Sequence, residues 1–171
     1  MGQKERYKRQ LISTRQMSET LLSAFKTPAD WVLQIHPKAN HALWFAGHMA
    51  TADNFFISMV DPSAVREMTE LNKLFGMGSQ PSSNPADYGS PESVVAEMRE
   101  RREKLLALLD SLDEAGLSKP TPPGSPDFLP DIASIFETAI WHEGMHSGQL
   151  SMIRRALGHE PIMGNTPAPS T

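Results

Sequence analysis

The sequence predicts an all-α protein, a four-helix bundle. Three observations carry that prediction. Four long stretches return apolar side chains every three or four positions, prolines fall only in the segments between them, and nothing shows the alternation of a strand. At 171 residues the chain is long enough for one continuous core, read as a single domain over residues 1–161 with a disordered tail at 162–171.

The first helix spans Gln3 to Lys26, uninterrupted by proline or glycine, with Tyr7, Leu11, Thr14, Ser18, Leu21, Leu22 and Phe25 on one face. Thr27-Pro28-Ala29-Asp30 stops it, and Trp31 to Lys38 reads as a connector because Pro37 cannot sit inside a helix. Asn40 is a suitable N-cap for the second helix, which runs to Val60 before Asp61-Pro62. Its apolar residues (Leu43, Trp44, Phe45, Met49, Phe55, Phe56, Ile57, Met59) lie nearly all round, as in an enclosed helix or one at a subunit contact. His48 is in step with Trp44, Ala52 and Phe55, so it faces inward.

Residues 61–90 are polar and rich in Pro, Gly and Ser, with one short helix expected from Ser63 to Phe75. Such a segment can travel the roughly 30 Å of a 20-residue helix and start the next in the same direction, so a crossover joins helices two and three. Ser90 caps the third helix, with Pro91 at its first position. It runs to Leu112, burying Val95, Met98, Leu105, Leu109 and Leu112 and exposing Glu97, Glu100 and Lys104. The charged run from Arg99 to Lys104 is then a solvated face from which one or two arginines can lean inward. Residues 113–130 form a proline-rich loop, and the fourth helix ends at Leu157 with Gly158 as its C-cap.

Chemistry concentrates in Trp141-His142-Glu143-Gly144-Met145-His146-Ser147-Gly148-Gln149-Leu150. Residues four apart stack on one helix face, so His142 and His146 can aim two imidazoles at one ion. Both fall on the apolar stripe of Ile132, Ile135, Phe136, Ala139, Leu150, Ile153 and Leu157, which turns them into the protein. His48, midway along the second helix, can meet them at one level of the core. Three neutral imidazoles would bind a divalent ion and leave positions open for water or substrate.

The spelling His142-Glu143-x-x-His146 also matches zinc proteases, but Gln149 and Met152 stand where an extended metzincin pattern needs Gly and His. A di-iron carboxylate bundle needs two Glu-x-x-His units and two further glutamates, and one unit is present. Glu143, one residue off the ligand face, is expected in the pocket or behind the ligands, handling protons. Gln149 either orients a ligand or packs. His36 and His159 are expected at the surface, and His41 at most at the pocket mouth, since its two-turn separation from His48 keeps it off the same ion.

A formal charge of −4 leaves no basic footprint for nucleic acid, and no stretch has the apolar length of a membrane span or a signal core. The expectation is a soluble cytoplasmic protein without nucleic-acid or membrane partners. There are no cysteines, so any thiol chemistry must use a thiol from outside.

The segment Ala39-Asn40-His41-Ala42-Leu43-Trp44-Phe45-Ala46-Gly47-His48-Met49-Ala50, with His142 to Leu150 and the following Ile153-Arg154-Arg155-Ala156-Leu157-Gly158, resembles the DinB/YfiT-like superfamily of metalloenzymes over roughly Lys4 to Pro161. The resemblance implies an up-down-down-up four-helix bundle, His48, His142 and His146 as metal ligands, and homodimers. It also brings in transferases and an isomerase that use low-molecular-weight thiols. The first expectation for function is therefore a metal-dependent thiol S-transferase acting on a small-molecule substrate. The alternatives are a metal-binding stress or scaffold protein without turnover, and a metal-dependent hydrolase. Imidazole suits Zn, Ni, Fe and Co alike, so the sequence leaves the metal open.

Overall fold

The computed structural model describes residues 2–163. Its elements in chain order are α1 (Gln3–Leu22), α2 (Pro28–Trp31), α3 (Ala42–Val60), α4 (Thr69–Phe75), α5 (Pro91–Ser111), α6 (Glu114–Leu117) and α7 (Ile132–Ala156). Among the described residues there is no strand, only an isolated bridge between Pro120 and Asp131. The four long helices form a ring in which α1 packs on α7, α7 on α3, α3 on α5 and α5 on α1. No described helix is long and apolar enough to cross a membrane.

The ends are set by local chemistry, and several differ from the sequence expectation. α1 stops at Leu22, about a turn before Lys26, and the expected stop signal is itself a one-turn helix. Thr27 and Asp30 form a capping box, the Asp30 carboxylate accepting from the Thr27 N–H at 2.9 Å and the Thr27 hydroxyl from the Asp30 N–H at 3.2 Å. α3 is capped by His41 rather than Asn40: His41 Nδ1 accepts from the Trp44 N–H at 3.0 Å. The single short helix expected at 63–75 divides into a 3₁₀ turn at Pro62–Ala64 and α4. Between them the Asn54 amide holds both backbone groups of Arg66, accepting from its N–H at 3.1 Å and donating to its C=O at 2.8 Å, which keeps that stretch out of a helix.

α5 starts at Ser90-Pro91 as expected, with Val94 rather than Val95 as its buried valine. α6 lies inside the segment read as loop. Asp131 caps α7, and Gly158, at φ +85°, closes it in the left-handed conformation that favours glycine. Ile162 packs against the core, and the rest of the tail expected to be disordered lies, from residue 164 on, outside the described residues.

The core is in two parts. One apolar cluster gathers Leu21 and Leu22 of α1, Leu43 to Ala50 of α3, Val94 and Met98 of α5, and Leu150 and Ile153 of α7. The other gathers Tyr7 and Leu11, Phe56 to Met59, Leu105 and Leu109, and Ile132 to Ala139. The sorting of helix halves means that α1 and α7 run one way and α3 and α5 the other. Between the clusters lie Arg15, Asp53, Arg102 and Glu143, buried charges from all four long helices, and α5 buries a second arginine, Arg101.

Candidate metal centre

His48 comes from the middle of α3, and His142 and His146 from successive turns of α7, where these two helices touch. Each offers a ring nitrogen, and these three atoms lie within 4.8 Å of one another. His48 Nε2 and His142 Nε2 are 3.2 Å apart. Nitrogens bound to one tetrahedral ion at about 2.0–2.1 Å lie ~3.3 Å apart, so this pair already has the spacing of ligands.

The outer nitrogens fix the rings. His48 Nδ1 is 2.8 Å from the Phe75 carbonyl at the end of α4, and His146 Nδ1 is 3.0 Å from Gln149 Oε1. Both partners accept, so each Nδ1 carries the proton and each Nε2 turns a lone pair inward. Gln149 Oε1 is itself held by the Asn40 amide, which donates at 3.2 Å. Of the two roles open to Gln149, orienting a ligand is the one its contact matches.

Gly47 makes the Phe75 contact feasible, since a Cβ there would sit 2.2 Å from the Phe75 ring. On the other side of His48 the Trp44 ring stacks with centroids 4.3 Å apart, and Trp44 Nε1 donates to Ser79 Oγ at 2.8 Å.

Burial pushes all three imidazoles below the ordinary histidine value, His48 to about 4 and His142 to about 3. For His142 the neighbouring His146 and His48 add to the effect. Near neutral pH the site is therefore three neutral nitrogen donors, the state a divalent ion requires. His48 and His146 are buried and His142 is half-buried, so the cluster meets solvent on the His142 side.

The other histidines are elsewhere. His36 is exposed and His159 half-exposed. His41 is fully buried, away from any pocket mouth; its Nε2 is 3.1 Å from the Tyr88 hydroxyl. Glu143, expected to move protons, has a carboxylate with no exposure. Its Oε1 accepts from Arg15 Nε at 2.8 Å and its Oε2 faces Arg102 Nη2 at 2.7 Å.

Sequence reasoning missed Arg15, Asp53 and Phe75. The signal for Arg15 was its place four and eight residues after Leu11 and Tyr7 on the inward stripe; Asp53 likewise follows Met49 and Phe45 at steps of four. Of the run from Arg99 to Lys104, Arg101 and Arg102 turn inward.

Fold and site together define an all-helical bundle with a buried three-histidine cluster that can hold a metal ion. The family model of the DinB superfamily matches residues 10–150, and the chain belongs to that superfamily. No curated protein matches it. Among solved structures it is similar to the crystal structure of a conserved protein from Enterococcus faecalis, at 19% identity and a TM-score of 0.62, over 93% of this chain and 99% of that one. At that identity the likeness speaks for the fold.

Proposed function

We propose that the protein is a metal-dependent enzyme of the thiol S-transferase kind, with His48, His142 and His146 holding a divalent ion. The observation that carries this reading is the set of three neutral imidazoles, two of them with the proton fixed on the outer nitrogen, converging beside a half-buried third. A divalent ion held by His48, His142 and His146 would keep its full charge and would supply the means of making a thiolate available near neutral pH. Phe75 and Gln149 hold the tautomers of His48 and His146. Trp44 covers His48 and keeps water from that side. In the reaction the thiol sulfur forms a bond to an electrophilic carbon of the small-molecule substrate, the leaving group departs with its electron pair, and the thiol proton goes to solvent. The absence of cysteine supports an external thiol.

The experiment begins with metal content of protein purified without a chelating resin, for wild type beside His48→Ala, His142→Ala and His146→Ala. The expected result is about one divalent ion per chain, lost in each variant, followed by electrophile turnover that needs both metal and thiol. Turnover with metal alone would replace the reading by a hydrolase, and binding without turnover by a metal-binding scaffold. The homodimer belongs to the same proposal. Trp141, Met145 and Met152 on the outer face of α7 are exposed at 64%, 45% and 60% and would be covered by a second copy, so light scattering should give twice the chain mass.

A further inference from the structure

We propose that Arg15, Asp53, Arg102 and Glu143 act together as a clamp that sets the metal centre, fixing how His48 faces His142 and His146. The inference rests on the reading of the triad as a metal site.

The division of labour among the helices points to this role. Asp53 and Glu143 stand on α3 and α7, the helices that carry all three imidazoles, and Arg15 and Arg102 on α1 and α5, which carry none. Each guanidinium spans both carboxylates. Arg15 donates from Nε to Glu143 Oε1 at 2.8 Å and from Nη2 to Asp53 Oδ2 at 3.2 Å. Arg102 donates to the two oxygens of Asp53 at 2.9 and 3.0 Å, and its Nη2 lies 2.7 Å from Glu143 Oε2. The remaining Nη1 atoms are spent on backbone, Arg15 on the Met98 carbonyl at 2.6 Å and Arg102 on the Leu11 carbonyl at 3.2 Å. The cluster is neutral, saturated and buried, so it offers no donor to a ligand. Its contacts are all between helices.

Stability alone does not account for it, because apolar residues of similar volume commonly stabilise a core at least as well as a buried ion cluster. What such a cluster adds is register. The clusters of Leu, Ile and Phe on either side can slide past one another at modest cost, whereas rigid guanidinium forks tie α3 and α7 at fixed points. Glu143 directly follows His142, and Asp53 lies five residues, ~7.5 Å of helix rise, beyond His48. A slip of α7 by one residue would move its imidazoles ~1.5 Å, against a ligand tolerance of about 0.2 Å.

Charge and position make opposite predictions for one substitution. Removing an arginine beside a cation site strengthens cation binding if Coulomb attraction alone matters, and weakens it if the arginine holds the ligands in place. The test measures the cobalt(II) dissociation constant by competition with a chromophoric chelator, and the visible ligand-field band, in wild type, Arg102→Met, Glu143→Gln, Arg15→Lys and the control Leu109→Ala. The control opens the far apolar cluster and lowers stability without touching the clamp. The expected result is weaker binding by about 10- to 100-fold in Arg102→Met and Glu143→Gln, with a shifted band, and a smaller loss in Arg15→Lys. Leu109→Ala keeps the wild-type constant and band. Should Arg102→Met fail to fold, Arg15→Lys decides, because it keeps the charge and loses only the fork. Tighter binding in Arg102→Met, or wild-type constants and bands in all the clamp variants, would overturn the clamp while leaving the metal site standing. No cobalt uptake by wild type would remove the metal reading and the clamp with it.

Discussion

The substitution Gly47→Ala tests the joint between α3, α4 and the imidazole of His48. A Cβ at position 47 would lie 2.2, 2.3 and 2.6 Å from three carbons of the Phe75 ring. Carbon atoms settle at about 3.5–4.0 Å, so the ring must retreat by ~1.3 Å. The Phe75 carbonyl, 2.8 Å from His48 Nδ1, cannot follow that retreat and keep its hydrogen bond. Overpacking of this kind costs ~1–3 kcal/mol, and the lost bond ~1 kcal/mol. Alanine returns ~1 kcal/mol through its better helix propensity. The net expectation is a loss of ~1–3 kcal/mol, seen as a fall in Tm of roughly 3–10 °C for a chain of this size. Circular dichroism during heating, with chelator present, measures it. Divalent-metal affinity measured in parallel should fall by about 10-fold or more, because His48 loses the partner that fixes its tautomer. A Tm that is unchanged or higher, as helix propensity alone would give, refutes the close-approach argument.

Two further predictions concern the histidines. His41, His48 and His142 are held by burial near 4, 4 and 3, while the unfolded chain titrates them near the ordinary value of about 6.5. Between those values the unfolded state binds more protons, so stability of the metal-free protein is fully present above pH ~6.5 and declines as pH falls toward 4. Urea midpoints across that range in a chelating buffer should slope accordingly, and a flat profile would contradict the burial of these rings. His41→Ala removes the N-cap of α3 and should cost ~1 kcal/mol, whereas His41→Asn keeps a good cap and should recover most of it. Because asparagine does not titrate, His41→Asn should also reduce the acid slope; equal slopes would place the titration elsewhere.

The fold class was legible because helical periodicity and proline placement agree along the chain. On α3 the expected stripe of Trp44, His48, Ala52 and Phe55 holds at Trp44 and His48, whereas Phe55 is 44% exposed and its neighbours Phe56 and Ile57 are buried in its place. On α7 Ile135, Ala139, His146 and Leu150 keep one inward stripe, and a stripe is visible without coordinates. The histidine cluster was legible for the same reason, since two of its members stand one turn apart and the third lies on the most apolar helix. What stayed hidden depends on partners distant in sequence. Position on an inward stripe is the one local mark of Asp53 and Arg15, and it does not decide burial, because charged residues sit inside only when matched, and their matches lie 38 to 128 positions away. The cap of α3 was misplaced by one residue for a subtler reason. Asn40 is the better cap by propensity, but its amide is engaged by Gln149, and the buried imidazole of His41 takes the task. The docking of Phe75 on Gly47 depends on a connection whose path no periodicity describes.

The donor set also decides how the molecule meets oxidants. A zinc site built on thiolates loses its ligands when sulfur is oxidised, whereas imidazole nitrogen survives peroxide at concentrations that convert thioethers to sulfoxides. Sulfur in this chain is all methionine, with exposures from nearly complete to none. Met77 is 97% exposed and Met163 73%, while Met49 and Met98 in the apolar core are at 1% and 0%. Peroxide should therefore oxidise Met77 and Met163 first, where a sulfoxide points into water, and reach Met49 and Met98 last.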